Sequence, residues 1–426
     1  MVVTYTRRVI DTELDELMPD LAAKALEGAK GVGKTATAER RAKIVMRMDD
    51  PDAAEIVRVG GQRVVESADK PLLIDKLQRL PEVWDRVRRA VDADTAGGQF
   101  LLTGSAASEA EVHSGAGRII SLRMRPLSIA ERGIEEQTVS LNELLDGGRR
   151  PLAGSTGIGL SDYIREIVSS GFPGVRALPE RARSAQLDSY LQRIVDRDLR
   201  EEGLTVRRPQ QLRRWLAAYA AATASTATWE TISRAASPGE GGSIPSRAST
   251  LGYRDALSRL GLLDPLPSWT PAGNEFGRLG CADKHFLSDP ALTVRLLDLD
   301  ASRLVSGAAI GVLGPQDKTM LGRLFEALVV QSVLTYAQAS GAMASHYRER
   351  SGKREIDVIV KRHDGAHLAL EVKLANRVED RDVKHLLWAR QTLGPRLADA
   401  AIIYTGAIAY RRPDGVAVVP LSLLGP

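Results

Sequence analysis

The sequence predicts an α/β protein assembled from more than one unit, and three observations carry that reading. Over the first 135 residues, short apolar runs alternate with helical patterns, the signature of a parallel sheet covered on both faces. The stretch from 160 to about 260 is dominated by helical periodicity. From about residue 319 a strongly apolar helix leads back into strands. At 426 residues the chain is long for a single core, so two or three domains are expected. The expected divisions are 1–135, 136–205, 206–275 and 276–426.

Composition sets the outer limits. Apolar and charged residues make up 43% and 26% of the chain, ordinary values for a soluble globular protein. No apolar run is long enough to span a bilayer, since the Ala-rich stretch 216–228 is interrupted by Tyr219 and several Thr and Ser. The opening residues Met-Val-Val-Thr-Tyr-Thr-Arg-Arg lack the apolar core of a signal peptide. The expectation is a cytoplasmic protein with no membrane partner. The single cysteine, Cys281, excludes an intrachain disulfide and a multi-thiolate metal site.

Strand-like runs fall at 43–48, 71–75 and 99–103, with helices expected at 34–40 and 83–91 and a loop at Asp49-Asp50-Pro51-Asp52. A Gly-rich linker follows at 146–159. Residues 160–200 read as helical, with a turn at Gly171-Phe172-Pro173-Gly174. Three helical patterns occupy 209–260, the third carrying Tyr253, Leu257 and Leu260, and 262–269 has the character of short strands. Three helices and a small hairpin outline a winged helix, with the Pro/Gly/Ser-rich loop 237–246 ahead of its third helix. A plain helical spacer explains the pattern equally well. Net charge is only +4. The excess concentrates between 204 and 260, where eight arginines face Glu230, Glu240 and Asp255. Such a cluster can follow a phosphate backbone, although a solvated surface has the same composition.

The most specific signal is Gly28-Ala29-Lys30-Gly31-Val32-Gly33-Lys34-Thr35, a G-x-x-x-x-G-K-T phosphate-binding loop placed where a strand should meet a helix. Glycines let successive N–H groups curl around phosphates, and the helix that follows adds its positive end. Gly28, Lys30, Gly31, Val32, Gly33, Lys34, Thr35 and Ala36 are therefore the candidate ATP-binding residues. Lys34 is expected at the β/γ-phosphates and the Thr35 hydroxyl on Mg²⁺. Asp75 ends the run Leu72-Leu73-Ile74, so its carboxylate should stand beside the loop and hold the same Mg²⁺. A third strand end offers Thr103 or Ser105 to sense the γ-phosphate, with strand-end capping as the alternative role.

In order along the chain come the phosphate loop, Leu73-Ile74-Asp75, Gln78-Arg79-Leu80-Pro81, Leu102-Thr103-Gly104-Ser105, and Gly117-Arg118 through Pro126-Leu127-Ser128. This set resembles the prokaryotic AAA-superfamily P-loop ATPases whose C-terminal portion is a domain of unknown function with a restriction-endonuclease-like motif. Gly171-Phe172-Pro173, Tyr190-Leu191, Arg197-Asp198-Leu199 and Phe286-Leu287-Ser288-Asp289 extend the resemblance over nearly the whole chain. The resemblance implies a catalytic Glu directly after the Mg²⁺-holding Asp, and here that position is Lys76. A protonated lysine cannot accept a proton from the attacking water. Nucleotide binding with slow or absent hydrolysis is the expectation. Arg118 is the candidate transition-state arginine, acting in cis or from a neighbouring subunit of a homo-oligomer. Arg123, Arg125 and Arg132 compete for that role.

Near the C-terminal end, Asp357 lies in Glu355-Ile356-Asp357-Val358-Ile359-Val360, and Glu371, 14 residues on, and Lys373 lie in Leu370-Glu371-Val372-Lys373. Period-two alternation places Glu371 and Lys373 together, opposite Leu368, Leu370, Val372 and Leu374, and places Asp357 opposite Ile356, Val358 and Val360. Glu326 sits on the preceding apolar helix. Glu followed by D…E-x-K resembles the PD-(D/E)xK nuclease core, in which carboxylates such as Asp357 and Glu371 hold Mg²⁺ and the lysine helps activate water. Trp388 and Gln391 on the next helix would support such a site. A surface hairpin with a Glu–Lys pair is the alternative. The leading functional expectation is an AAA-type ATP-binding protein acting with DNA or RNA. A non-hydrolysing nucleotide-dependent scaffold comes second, and a Mg²⁺-dependent nuclease third.

Overall fold

The apolar runs of the first third form a parallel five-stranded sheet in the order β2-β3-β4-β1-β5. The strands are β1 (Ala23–Glu27), β2 (Ile44–Arg47), β3 (Leu72–Asp75), β4 (Phe100–Thr103) and β5 (Ile119–Arg123). The structure is a computed structural model that describes residues 5–104, 115–201, 203–204, 206–237, 244–270, 282–306, 319–349 and 351–426. Both faces of the central strands β3 and β4 are buried, which is why those strands read as continuous apolar runs. Leu26, Leu73 and Leu101 face one cluster, shared with the middle of the chain. Leu72, Ile74, Phe100 and Leu102 face another, together with the helices Pro51–Ser67 and Val83–Ala93.

The expected loop at 49–52 is instead the start of a helix. Asp50 caps it by accepting from the Asp52 N–H, and Pro51 occupies its first turn. This helix, Pro51–Ser67, has a weak sequence signature because Ile56 and Val59 are exposed and Gly61 is non-helical inside it.

The middle is helical, as expected: Leu160–Ser169, Pro173–Arg176, Glu180–Arg193, Pro209–Ala221, Trp229–Ala235 and Arg247–Arg259. Gly171 and Phe172 lead into Pro173, which opens its own short helix. Trp215, Tyr219, Trp229 and His285 stack or meet edge-on in one aromatic cluster. After the third of the 209–260 helices, isolated antiparallel bridges join Leu263 to Leu287 and Leu266 to Lys284. Most of the 237–246 loop, and Cys281, lie outside the described residues.

The last unit is a mixed six-stranded sheet in the order β11-β12-β10-β9-β8-β7. Its strands are β7 (Ala342–Arg348), β8 (Glu355–Arg362), β9 (His367–Lys373), β10 (Leu397–Tyr404), β11 (Tyr410–Arg411) and β12 (Ala417–Pro420). The Met320–Ala339 helix covers one face and Lys384–Leu393 the other. Packing cuts across the divisions expected from sequence. β6 (Val139–Ser140) pairs with β13 (Leu424–Gly425), and Leu141, Leu144, Tyr163 and Ile167 share the core of the 320–339 helix. Among the described residues no helix is long and apolar enough to cross a membrane.

β8 departs from simple alternation. Its register against β7 shifts between Ser345↔Ile359 and Tyr347↔Ile356, so Asp357 sits at a bulge. Ile356 and Ile359 face one core, while Val358 and Val360 face the other. The expectation that Ile356, Val358 and Val360 share a face is corrected by that one-residue bulge.

Candidate functional site

β1 ends at the phosphate loop, and the Lys34–Glu39 helix leaves it. Gly31 and Gly33 adopt φ of +85° and +104°, values a side chain would strain, and Gly33 caps the helix in the left-handed region. Gly28, at φ +142°, also passes so close to β5 that an added Cβ would lie 2.1 Å from the Met124 carbonyl oxygen. Lys34 Nζ turns back to donate to the carbonyls of Gly28 at 2.7 Å and Ala29 at 2.9 Å. Burial lowers its pKa to about 8, and nearby Asp75 acts in the opposite direction.

Two strand-end groups and a hydroxyl from the first turn of the helix converge beside it. Thr35 Oγ1 donates to Asp75 Oδ1 at 2.8 Å, and Thr103 Oγ1 donates to the same oxygen. The order β3-β4-β1 puts Thr103 between the other two, where a γ-phosphate sensor is expected. A hydroxyl and a carboxylate that already touch, next to a curled glycine loop and a buried lysine, fit a nucleotide with its Mg²⁺. Ser105 lies outside the described residues.

Lys76 does not reach this cluster. It adopts φ +57°, and its exposed ammonium pairs with Asp49. Asp49 follows β2, the strand on the side of β3 away from the phosphate loop. The charge is thus drawn off from the γ-phosphate position, and the Lys76 contact lowers the pKa of Asp49, which weakens that carboxylate as a base.

The arginines are also sorted by position. Arg118 stands ahead of β5, at the end where Ile119 pairs with Ala23, whereas the loop follows Glu27, paired with Arg123. Its guanidinium bonds Asp92 at 2.7 Å. A five-residue strand spans about 16 Å, so Arg118 lies at the opposite end of β5 from its own phosphate loop, which counts against its acting there in cis. Arg123 and Arg125 are tied to Asp264 at 3.2 and 2.7 Å. The Arg132 side chain is fully buried against Glu166.

Several contacts around the loop left no short motif in the sequence. A cavity of about 500 Å³ opens beside Gly33, Ala36 and Thr37, walled by Tyr5, Pro173 and Arg176. Buried Arg8 donates to the Val32 carbonyl at 2.7 Å and to Glu131 at 2.8 Å, pinning the loop from below. Lys30 is bonded to Asp198 at 2.7 Å, in the helical middle. Gly261, just past the Arg247–Arg259 helix, packs so tightly that a Cβ would lie 2.6 Å from the Ala29 nitrogen. At φ +70° a side chain there would be strained as well. Gly261→Ala should therefore displace the loop and weaken nucleotide affinity about tenfold, an energy typical of local backbone strain, measurable by titration with a fluorescent ATP analogue.

In the C-terminal sheet, Glu326, Asp357 and Glu371 are all buried, and Lys373 Nζ lies 3.6 Å from Glu371. The sequence reading missed Lys284. Its fully buried ammonium lies 2.8 Å from Glu326, 3.2 Å from Asp357 and 3.2 Å from Glu355. Burial works against its charge, but the carboxylates of Glu326, Asp357 and Glu355 raise its pKa instead. Asp357 Oδ2 accepts from the Val372 N–H at 2.9 Å. A cation is thus built into the cluster, and among the described residues no group of three or more His, Cys, Asp or Glu is arranged to hold a metal. The expected Mg²⁺ at Asp357 and Glu371 does not fit this arrangement. Gln391 is exposed; His385, from the first turn of the same helix, instead approaches Glu371 at 3.7 Å.

Burial and the Asp357 charge raise the Glu371 pKa from 4.5 to about 7. A raised carboxyl pKa stabilises the fold below the unfolded value, and that contribution is lost as pH rises through about 7. Glu371→Gln should therefore raise the unfolding free energy by on the order of 2–3 kcal/mol at pH 8 and by much less at pH 5. Denaturant titrations at the two pH values check it.

Comparison with known proteins agrees with the N-terminal geometry. Residues 21–132 match the family model of an AAA domain. Residues 160–303 and 321–424 match two families, each described as a domain of unknown function. The N-terminal portion is an AAA-type P-loop ATPase domain, and such a domain is a nucleotide-binding unit. No curated protein matches the chain. Similar solved structures include a RuvB variant from Thermotoga maritima, at 15% identity over 61% of this chain and 89% of that one, with a TM-score of 0.26. The Aeropyrum pernix ORC2 protein shares 13% identity over 71% and 92%, at a TM-score of 0.30. AMPPCP-bound DnaA from Aquifex aeolicus shares 14% over 61% and 93%, at 0.24. Likeness at this level carries no argument about activity.

Proposed function

We propose that the chain is a nucleotide-dependent switch: it binds Mg²⁺·ATP tightly, hydrolyses it slowly, and passes the state of the phosphate loop to its helical middle, which works with nucleic acid. The observation that carries this reading is the convergence of Thr35, Asp75 and Thr103 beside Lys34, with a lysine turned away where a catalytic carboxylate would stand. In the bound state the loop N–H groups and Lys34 would hold the phosphates and Thr35 and Asp75 would hold Mg²⁺, which would shield phosphate charge. The cavity beside Gly33 and Ala36 accepts the base. Thr103 orients the Asp75 carboxylate by its hydrogen bond.

Coupling to the middle follows from two contacts. Gly261 touches the loop backbone, and Lys30 is held by Asp198. Phosphates that draw Lys30 inward would release that tie. The three helices and the paired segments after them support a winged-helix reading, with the arginines of 204–260 facing phosphates. Arg118, exposed and remote from its own loop, favours an oligomer in which it serves a neighbour. Nuclease chemistry is not part of the proposal, because Lys284 holds the position a metal would need.

The test is direct nucleotide titration with Mg²⁺. The natural chain should bind ATP, and Lys34→Ala should weaken it by roughly 30–100-fold, the worth of charge-assisted bonds to phosphate. Equal affinity in the two chains would sink the reading.

A further inference from the structure

At the far end of the C-terminal sheet lies a cavity of about 940 Å³. Its edge is formed where β8 ends at Arg362 and where β10 begins at Leu397 opposite His367 of β9. Glu371 and Lys373 lie toward the other end of β9, so the cavity is separate from the buried carboxylate cluster. Four arginines line it, Arg149, Arg362, Arg390 and Arg396, with only Asp146 and Asp364 as acids.

Those two acids are already committed. Arg362 bonds Asp146 at 2.7 Å and Asp364 at 2.8 Å, which leaves three arginines for no carboxylate. Arg390 gives its terminal nitrogens to the backbone carbonyls of Asp414 and Gly415, and its buried Nε has no partner among the described residues. The neighbouring carboxylates are paired first with other arginines. Asp399 is taken by Arg411 at 2.8 Å and Asp414 by Arg412 at 3.0 Å. Arg149 and Arg396 are exposed at the rim, and their side chains make no hydrogen bond or ion pair with the described residues.

Burial and the proximity of Arg149 lower the Arg390 pKa, consistent with like charges gathered in one hollow. A concave surface with excess guanidinium charge concentrates anions, and the planar guanidinium fork matches phosphoryl oxygens. We propose that this cavity is a second phosphoryl-binding site, independent of the phosphate loop, with Arg149 and Arg396 as its grasping residues and Arg390 as its floor. The phosphoryl group comes either from a small free phosphate compound or from a nucleic-acid backbone.

The experiment uses the full chain carrying Lys34→Ala, which removes the phosphate-loop lysine, and compares it with the same chain also carrying Arg149→Ala and Arg396→Ala. Both rim arginines are exposed, so the fold should survive their loss; equal unfolding temperatures check this. Inorganic pyrophosphate and a single-stranded oligonucleotide are titrated separately at low salt. Pyrophosphate binding weakened at least about tenfold by the arginine changes identifies a free phosphate ligand. Oligonucleotide binding whose log–log salt slope falls by roughly 1.4, two phosphates at about 0.7 each, identifies a backbone. Binding of neither probe, or binding unchanged by the two substitutions, overturns the proposal. Neither outcome bears on ATP at the phosphate loop, which Lys34→Ala in the otherwise natural chain tests by itself.

Discussion

Lys76→Glu should raise steady-state ATP turnover by on the order of 10²–10⁴, the usual worth of a general base. Lys76 directly follows Asp75, whose carboxylate touches Thr35, so a side chain leaving this position toward β4 would reach the water beside a γ-phosphate. The lysine leaves in the other direction, toward Asp49. Glutamate at 76 loses that attraction and is repelled by Asp49, so both effects turn it toward the nucleotide. The Lys76→Gln variant controls for simple release of the side chain: it loses the Asp49 ion pair but cannot take a proton. Turnover should therefore rise in Lys76→Glu and stay low in Lys76→Gln, with similar nucleotide affinity in both. A natural chain that already turns over several ATP per second, no slower than Lys76→Glu, would show that the base lies elsewhere.

The parts of this site that were legible in the sequence are those set by local backbone rules. The phosphate loop needs glycines at fixed offsets, so Gly28, Gly31 and Gly33 announce it. Asp75 is legible because an acid at the tip of a buried parallel strand lies where ligands bind in such sheets. Strands β2, β3 and β4 were read to within a residue or two from their apolar runs, whereas β1, with Lys24 and Glu27 inside it, and β5, with Ser121 and Arg123, carry no such run. The cavity beside the phosphate loop was not legible, because Tyr5, Ala36, Pro173 and Arg176 meet only when the sheet and the helical middle pack. Arg118 was read as a site residue from order alone; its place ahead of β5 follows from parallel register, which no single strand displays. The β8 bulge defeated alternation for a related reason, since an extra residue shows itself only against the partner strand. The helix at Pro51–Ser67 was lost because its outward face carries Ile56 and Val59, which blurs the periodic contrast.

Lys284 is the most consequential residue hidden from sequence reading, and its removal should be severe. A lysine in Asp283-Lys284-His285 reads as a solvated charge, yet the fold buries it completely. It bridges at Leu266, in the segment that follows the middle helices, and reaches into the carboxylates of the C-terminal sheet. Two consequences follow from one ammonium: it neutralises Glu326 and Asp357, and it fastens the middle of the chain to the last unit. Lys284→Met keeps most of the side-chain volume but leaves those buried carboxylates without their cation. Removing one partner of a buried pair costs about 3–5 kcal/mol, larger than the effect expected at Glu371. The truncated Lys284→Ala side chain opens room among Glu326, Asp357 and Glu355, so in an Asp75→Ala background Mg²⁺ should stabilise that variant and leave the Lys284 chain unchanged. Unfolding curves with and without Mg²⁺ decide the matter. A Lys284→Met protein as stable as the natural chain at neutral pH, or a natural chain whose C-terminal unit is stabilised by Mg²⁺, would show that the ammonium does not take the place of a metal.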